Sequence, residues 1–132
     1  MRVAHISDFH AKEEAYDLLE ANVAVLEREH AARPFDLIAF SGDWWHGAPM
    51  ATARARYADF LSLMRRLADM ATVAMVQGTP SHDVEGSLEV FEQLKAAHPI
   101  RILKPGIAYA YDGFNDCITP DFIDDQPKLL LF

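Results

Sequence analysis

The sequence predicts an α/β fold built from parallel β-α-β-α-β units, and three observations lead there. Short apolar segments of five or six residues alternate with longer amphipathic ones. Each of the first three short segments runs into a polar cluster containing Asp, His or Gly: Asp8-Phe9-His10, Gly42-Asp43, and Gly78 through Asp83. Asp8 and Asp43 stand 35 residues apart and Asp43 and His82 stand 39 apart, each interval matching one strand–helix–strand repeat. Right-handed crossovers then bring the C-terminal ends of the strands to one edge, where open α/β sheets bind ligands.

The elements follow in order. Val3–Ser7 is short, apolar and partly β-branched, a buried strand closed by Asp8. Residues 13–30 form a helix, with Ala15, Leu18, Leu19, Val23 and Leu26 on one stripe and Glu13 and Glu14 at its electropositive start. Asp36–Ser41 is a second buried strand, and residues 44–50 are a loop containing Gly47 and Pro49. Residues 52–70 form a second amphipathic helix, with Tyr57, Phe60, Leu61, Met64 and Leu67 inward. Thr72–Gln77 is a third strand. Residues 87–97 form a shorter helix with Ser87 as N-cap and Leu88, Phe91 and Leu94 inward. Ile100–Leu103 and Ile107–Tyr111 are short strands around a Lys104-Pro105-Gly106 turn. Residues 112–128 are polar, contain Pro120 and Pro127 and have no helical period, and a last apolar strand begins at Leu129.

The 132 residues suffice for one domain, and 51% apolar with 24% charged residues is a globular composition. Twenty acidic residues against twelve basic give a net charge of −8. This argues against nucleic-acid binding through a basic surface alone, but bound divalent cations would supply positive charge locally. A single cysteine, Cys117, excludes an internal disulfide framework and suits a reducing compartment. No apolar run approaches the roughly 18 residues that span a bilayer, and Asp8 with two histidines interrupts any signal-peptide core. A cytoplasmic location and no membrane partner are expected.

Carboxylates and imidazoles gathered at one sheet edge suit Mn²⁺, Fe²⁺ or Zn²⁺ better than Ca²⁺, because nitrogen donors are present. Gly42 and Gly78 let the backbone turn beside them. The ordered series Asp8-x-His10, Gly42-Asp43 and Gly78…His82-Asp83 resembles the calcineurin-like metallophosphoesterase superfamily, whose pattern is D-x-H, G-D and G-N-H-D or G-N-H-E, each after a strand. Within it, Gly42-Asp43-Trp44-Trp45-His46-Gly47, followed by Pro49 and a long helix, looks most like the SbcD-type DNA repair exonucleases.

The resemblance implies a phosphoester hydrolase in which two divalent cations, manganese with iron or zinc as alternatives, activate a hydroxide for in-line attack. It implies Asp8, His10 and Asp43 as metal ligands, with Asp43 bridging. His82 would lie at the phosphate, Asp83 would orient His82, and His46 would place the substrate at the rim. It further implies DNA as substrate and a coiled-coil ATPase subunit as partner. Two departures stand out. Anchored on His82-Asp83, the Asn of the pattern is Ser81, a weaker metal ligand. The later histidines of the pattern are missing, since no His follows His98. Residues 1–132 are therefore expected to be the incomplete N-terminal part of the domain, inactive or weakly active alone. A phosphatase or phosphodiesterase acting on a nucleotide or phosphoprotein, and a non-catalytic protein-binding remnant, stay open as alternatives.

Blander readings go to other residues. His5, inside a strand, reads as a core histidine, and His30 and His98 as residues at helix C-termini. Trp44 and Trp45 read as packing beneath their loop rather than base-stacking platforms, and Arg54, Arg56, Arg65 and Arg66 as a solvated helix face.

Overall fold

The computed structural model describes residues 1–12, 15–46, 54–83, 89–103, 109–112, 117–120 and 129–131, with backbone alone for 54–57, 89–91 and the residues from 109 onward. The elements are β1 (Val3–Ile6), α1 (Tyr16–Ala32), β2 (Leu37–Ser41), α2 (Arg54–Met70), β3 (Thr72–Val76), α3 (Glu89–Lys95), β4 (Ile100–Leu103), β5 (Tyr109–Asp112), β6 (Cys117–Pro120) and β7 (Leu129–Leu131). The first four strands form a parallel sheet in the order β1-β2-β3-β4, and the last three an antiparallel sheet in the order β6-β5-β7. The α/β architecture with strand–helix–strand repeats is the one the alternating segments predict. None of the helices, among the described residues, is long and apolar enough to cross a membrane. The expected Ser87 cap, Leu88, Glu13, Glu14 and the residue 104–106 turn lie outside the described residues.

Strand alternation assigns the sheet faces. Ala4, Ile38, Phe40, Val73, Met75 and Ile100 share a core with Leu19 and Val23 of α1, Phe60, Leu63, Met64 and Leu67 of α2, and Leu94 of α3. The opposite face carries a smaller cluster of Leu37, Ala74 and Leu103, joined by Val3 and Val76. Consecutive right-handed crossovers in one direction place all three helices on the first face. In-register pairing, Ile6 beside Phe40 and Phe40 beside Met75, brings the chain out of β1, β2 and β3 at one edge.

Tertiary contacts override local patterning at four places. Leu18, on the predicted inward stripe of α1, is 63% exposed, because it faces the open cleft beside His5 and Ile6 instead of the sheet core. His5 is not a core residue: it is exposed on β1, and its Nε2 lies 2.8 Å from Ser41 Oγ. Arg66 is not merely solvated. Its guanidinium grips Glu27 of α1 through two bonds of 2.7 and 2.8 Å and also meets Glu20, tying α1 to α2. Strand β6 arises in a stretch with no readable period. Among the described residues its four pair with β5 alone, and Pro120 suits a position at the margin of that sheet.

Two of the blander readings hold. His30 Nδ1 accepts the Phe35 amide at 3.1 Å beyond the end of α1, and His98 pairs with Asp69 at 3.2 Å. Trp44 and Trp45 are fully buried, with Trp45 against Phe60 and Trp44 against Phe40, so they fill the space under the loop.

Candidate metal centre

The loops that leave β1, β2 and β3 are fastened to one another by backbone bonds. His10 N donates to Asp43 O at 2.8 Å and Ala11 N to Trp44 O at 2.9 Å, so the β1–β2 pairing resumes beyond the strand ends. The second fastening is a buried carboxylate. Asp83 Oδ2 accepts the amides of Asp43 and Gly78, each at 2.8 Å, and Asp83 Oδ1 accepts the Trp45 amide at 3.0 Å. Burial pushes the Asp83 carboxyl above the usual carboxylate range, opposed by these three amide donors and reinforced by the nearby Asp43 charge.

The backbone at the site is unusual. Asp8, His10 and Asp43 have φ of 52°, 44° and 51°, and they are the only non-glycine residues with positive φ among those described. Left-handed backbone costs an L-residue on the order of 1–2 kcal/mol, less for Asp, whose short polar side chain tolerates it. Concentration of this strain on three candidate ligands marks a functional constraint. Gly42 also has φ of 83°, as a sharp turn requires. Gly78 is needed for a different reason than turning: a Cβ there would lie 2.2 Å from Asp43 Oδ1 and 2.3 Å from Asp43 N.

Together these constraints bring Asp8, His10 and Asp43 close, with one ligand atom from each within 4.8 Å of the others. Asp43 is held ionised, below the usual range, first by the Thr79 amide at 2.7 Å and then by the Thr79 hydroxyl and His82. Two carboxylates and an imidazole, partly exposed and converging, fit a divalent cation of the Mn²⁺, Fe²⁺ or Zn²⁺ type. His82 Nδ1 lies 3.2 Å from Asp43 Oδ2 and 2.9 Å from Thr79 Oγ1. His46 Nδ1 lies 3.3 Å from His10 Nδ1. The site opens into a cleft of about 930 Å³ with His10, His46 and His82 on its wall and Leu18, Val25 and Leu26 of α1 opposite.

The structure thus gathers Asp8, His10, Asp43, His46 and His82. Two further expected residues, Asp83 and Ser81, stand in other contacts. Among the described residues, the Asp83 carboxylate meets the amides of Asp43, Trp45 and Gly78 and not the ring of His82. Ser81 is exposed and meets the Thr79 hydroxyl at 3.3 Å, while it is Thr79 that reaches Asp43. Sequence reasoning misses Thr79 because it anchors the third motif on His82. Anchoring on Gly78 instead finds it, because Thr79 follows that glycine directly, as Asn does in the G-N-H-D pattern.

The calcineurin-like phosphoesterase family profile matches residues 1–124. Among solved structures, the chain is similar to the crystal structure of the Pseudomonas putida nuclease MPE. Identity is 23% and the TM-score 0.52, over 78% of this chain and 48% of that one. The chain therefore spans about half the length of that nuclease, and the likeness is one of fold. No curated protein matches the sequence.

Proposed function

Since this chain belongs to the calcineurin-like phosphoesterase family, we propose that the protein it represents is a metal-dependent phosphoester hydrolase, and more narrowly an SbcD-type exonuclease acting on DNA ends. The observation that carries the reading is the convergence of Asp8, His10 and Asp43 at the strand ends, with His82 beside Asp43. Two divalent cations, manganese in our reading, would supply water activation and charge neutralisation on the phosphate.

The chain's own residues do the rest. Asp8, His10 and Asp43 would hold the cation, and Thr79 keeps Asp43 ionised for that role. His82 is fixed through Nδ1 by Thr79 and Asp43, which leaves Nε2 to donate a proton to a phosphate or leaving oxygen. His46, on the cleft wall beside His10, positions the nucleic-acid strand. The solved fold-mate is described as a nuclease, which supports the choice of a nucleic-acid substrate. With that substrate we propose a cytoplasmic location and a coiled-coil ATPase partner.

The test compares Mn²⁺-dependent hydrolysis of linear duplex DNA, closed circular DNA, a cyclic nucleotide and a phosphopeptide, with Asp43→Asn as control. Cleavage of linear DNA from its ends, abolished in the control, is the expected result. Turnover of the nucleotide or phosphopeptide alone would move the assignment to another branch of the family. No Asp43-dependent turnover of any substrate overturns hydrolysis by this chain.

A further inference from the structure

Three imidazoles converge on one point of the cleft wall. The rings of His10, His46 and His82 lie with centroids 4.5 to 5.3 Å apart, His10 edge-on to both others and His46 stacked on His82. One ring nitrogen from each lies within 4.8 Å of the others. Each ring is anchored by a buried neighbour in sequence. His10 stands between buried Phe9 and Ala11, His46 follows buried Trp45, and His82 precedes buried Asp83. Thr79 and Asp43 also fix His82 through Nδ1, so the cluster is pre-organised by its surroundings together with the His10–His46 contact.

The spacing has a chemical meaning. Two nitrogens bound to a tetrahedral zinc at about 2.0–2.1 Å stand about 3.3 Å apart. His10 Nδ1 and His46 Nδ1 are 3.3 Å apart. Imidazole donors favour late first-row ions such as Zn²⁺ and Cu²⁺ over Mn²⁺, and the chain's net charge of −8 attracts cations in general. The ring nitrogen of His10 that faces Asp8 is Nε2, at 3.7 Å, so the two ligand sets approach different edges of one imidazole.

We propose that His10, His46 and His82 form a three-imidazole site for a single late transition-metal dication, with Zn²⁺ as its probe, which shares His10 with the Asp8–His10–Asp43 set but draws its other donors from imidazoles alone. This rests on the phosphoesterase reading only for its consequence. An ion held there engages His82 and His46, the groups that reading assigns to the phosphate and the strand, so it inhibits hydrolysis.

The experiment uses the whole chain and does not depend on activity. Zn²⁺ and Mn²⁺ are titrated calorimetrically into the wild type, Asp43→Asn and Asp43→Asn/His46→Ala. The expected result is loss of Mn²⁺ binding in Asp43→Asn with Zn²⁺ binding kept, and Zn²⁺ binding at least tenfold weaker in Asp43→Asn/His46→Ala, where the carboxylate set no longer competes for Zn²⁺. Co²⁺ is then added to His46→Cys, where a thiolate-to-cobalt charge-transfer band reports residue 46 in the coordination sphere. Undiminished Zn²⁺ affinity on adding His46→Ala to Asp43→Asn, or no such band in a folded His46→Cys, overturns the site. Failure of Mn²⁺ binding or of hydrolysis, with the Co²⁺ band present, would count against the phosphoesterase reading and leave the three-imidazole site standing.

Discussion

The carboxylate of Asp83 holds the backbone of Asp43. Its Oδ2 accepts the Asp43 amide at 2.8 Å, and the same oxygen takes the Gly78 amide at the same distance. A candidate metal ligand on the β2 loop is thereby positioned by a buried acid on the β3 loop. Asp83→Asn replaces one acceptor oxygen with an NH₂ group that faces an amide donor. The expected loss is about 2–4 kcal/mol of stability, since buried bonds to a charged group are broken and a donor is left unpaired. Urea denaturation measures it. Mn²⁺ affinity falls with it, and unchanged stability would show that Asp83 is not the fastening.

Asp8 pairs backbone strain with an exposed ligand. Its φ is 52° and its side chain is largely in solvent, so its removal costs little packing. Asp8→Gly relieves the left-handed strain and is expected to leave stability equal or higher by about 0.5 kcal/mol, with Mn²⁺ binding lost. Asp8→Ala loses the metal equally but keeps the strain, and is expected to melt below Asp8→Gly by about 1 kcal/mol. Thermal melts of the two variants side by side decide it.

Thr79 touches both Asp43 and His82 through one hydroxyl, at 3.1 and 2.9 Å. Thr79→Val keeps the amide bond to Asp43 and removes the hydroxyl alone. Outer partners of metal ligands typically account for 10–100-fold in affinity or activity. A fall of that size in Mn²⁺ affinity is expected in Thr79→Val, with recovery in Thr79→Ser. Calorimetry separates this from a folding defect, because both variants should melt with the wild type.

Tyr16, at the start of α1, is pushed up to about 12 by burial and by the neighbouring Asp59 charge. The neutral phenol is the form the fold favours. A group raised in the folded state stabilises below its unfolded value, near 10, and that contribution is lost as pH rises toward 12. Unfolding free energy should therefore fall more steeply between pH 10 and 12 in the wild type than in Tyr16→Phe. Parallel slopes in denaturant titrations across that range would contradict it.

Much of this fold is legible in the amino-acid sequence, and for a local reason. Apolar periodicity and punctuation by Asp, Gly and Pro are properties of neighbouring residues, so they locate strands and helices. Repeated strand–helix units at spacings of 35 and 39 residues then predict that Asp8, Asp43 and His82 share an edge. The structure places these three together, with Asp43 and His82 3.2 Å apart.

Residue order thus dictates the parallel α/β framework and the residue types delivered to its C-terminal edge. The tertiary structure decided which atoms meet there. The left-handed backbone of Asp8, His10 and Asp43, the hold of Asp83 on Asp43, the entry of Thr79 in place of Ser81 and the approach of His46 to His10 all join loops of different repeats. So does the Arg66–Glu27 tie between helices, which local charge patterning presents as solvated surface. Such contacts depend on strand register and loop path at ångström scale. Local propensity does not carry that information, because the partners stand dozens of residues apart and meet only once the sheet has set their distance.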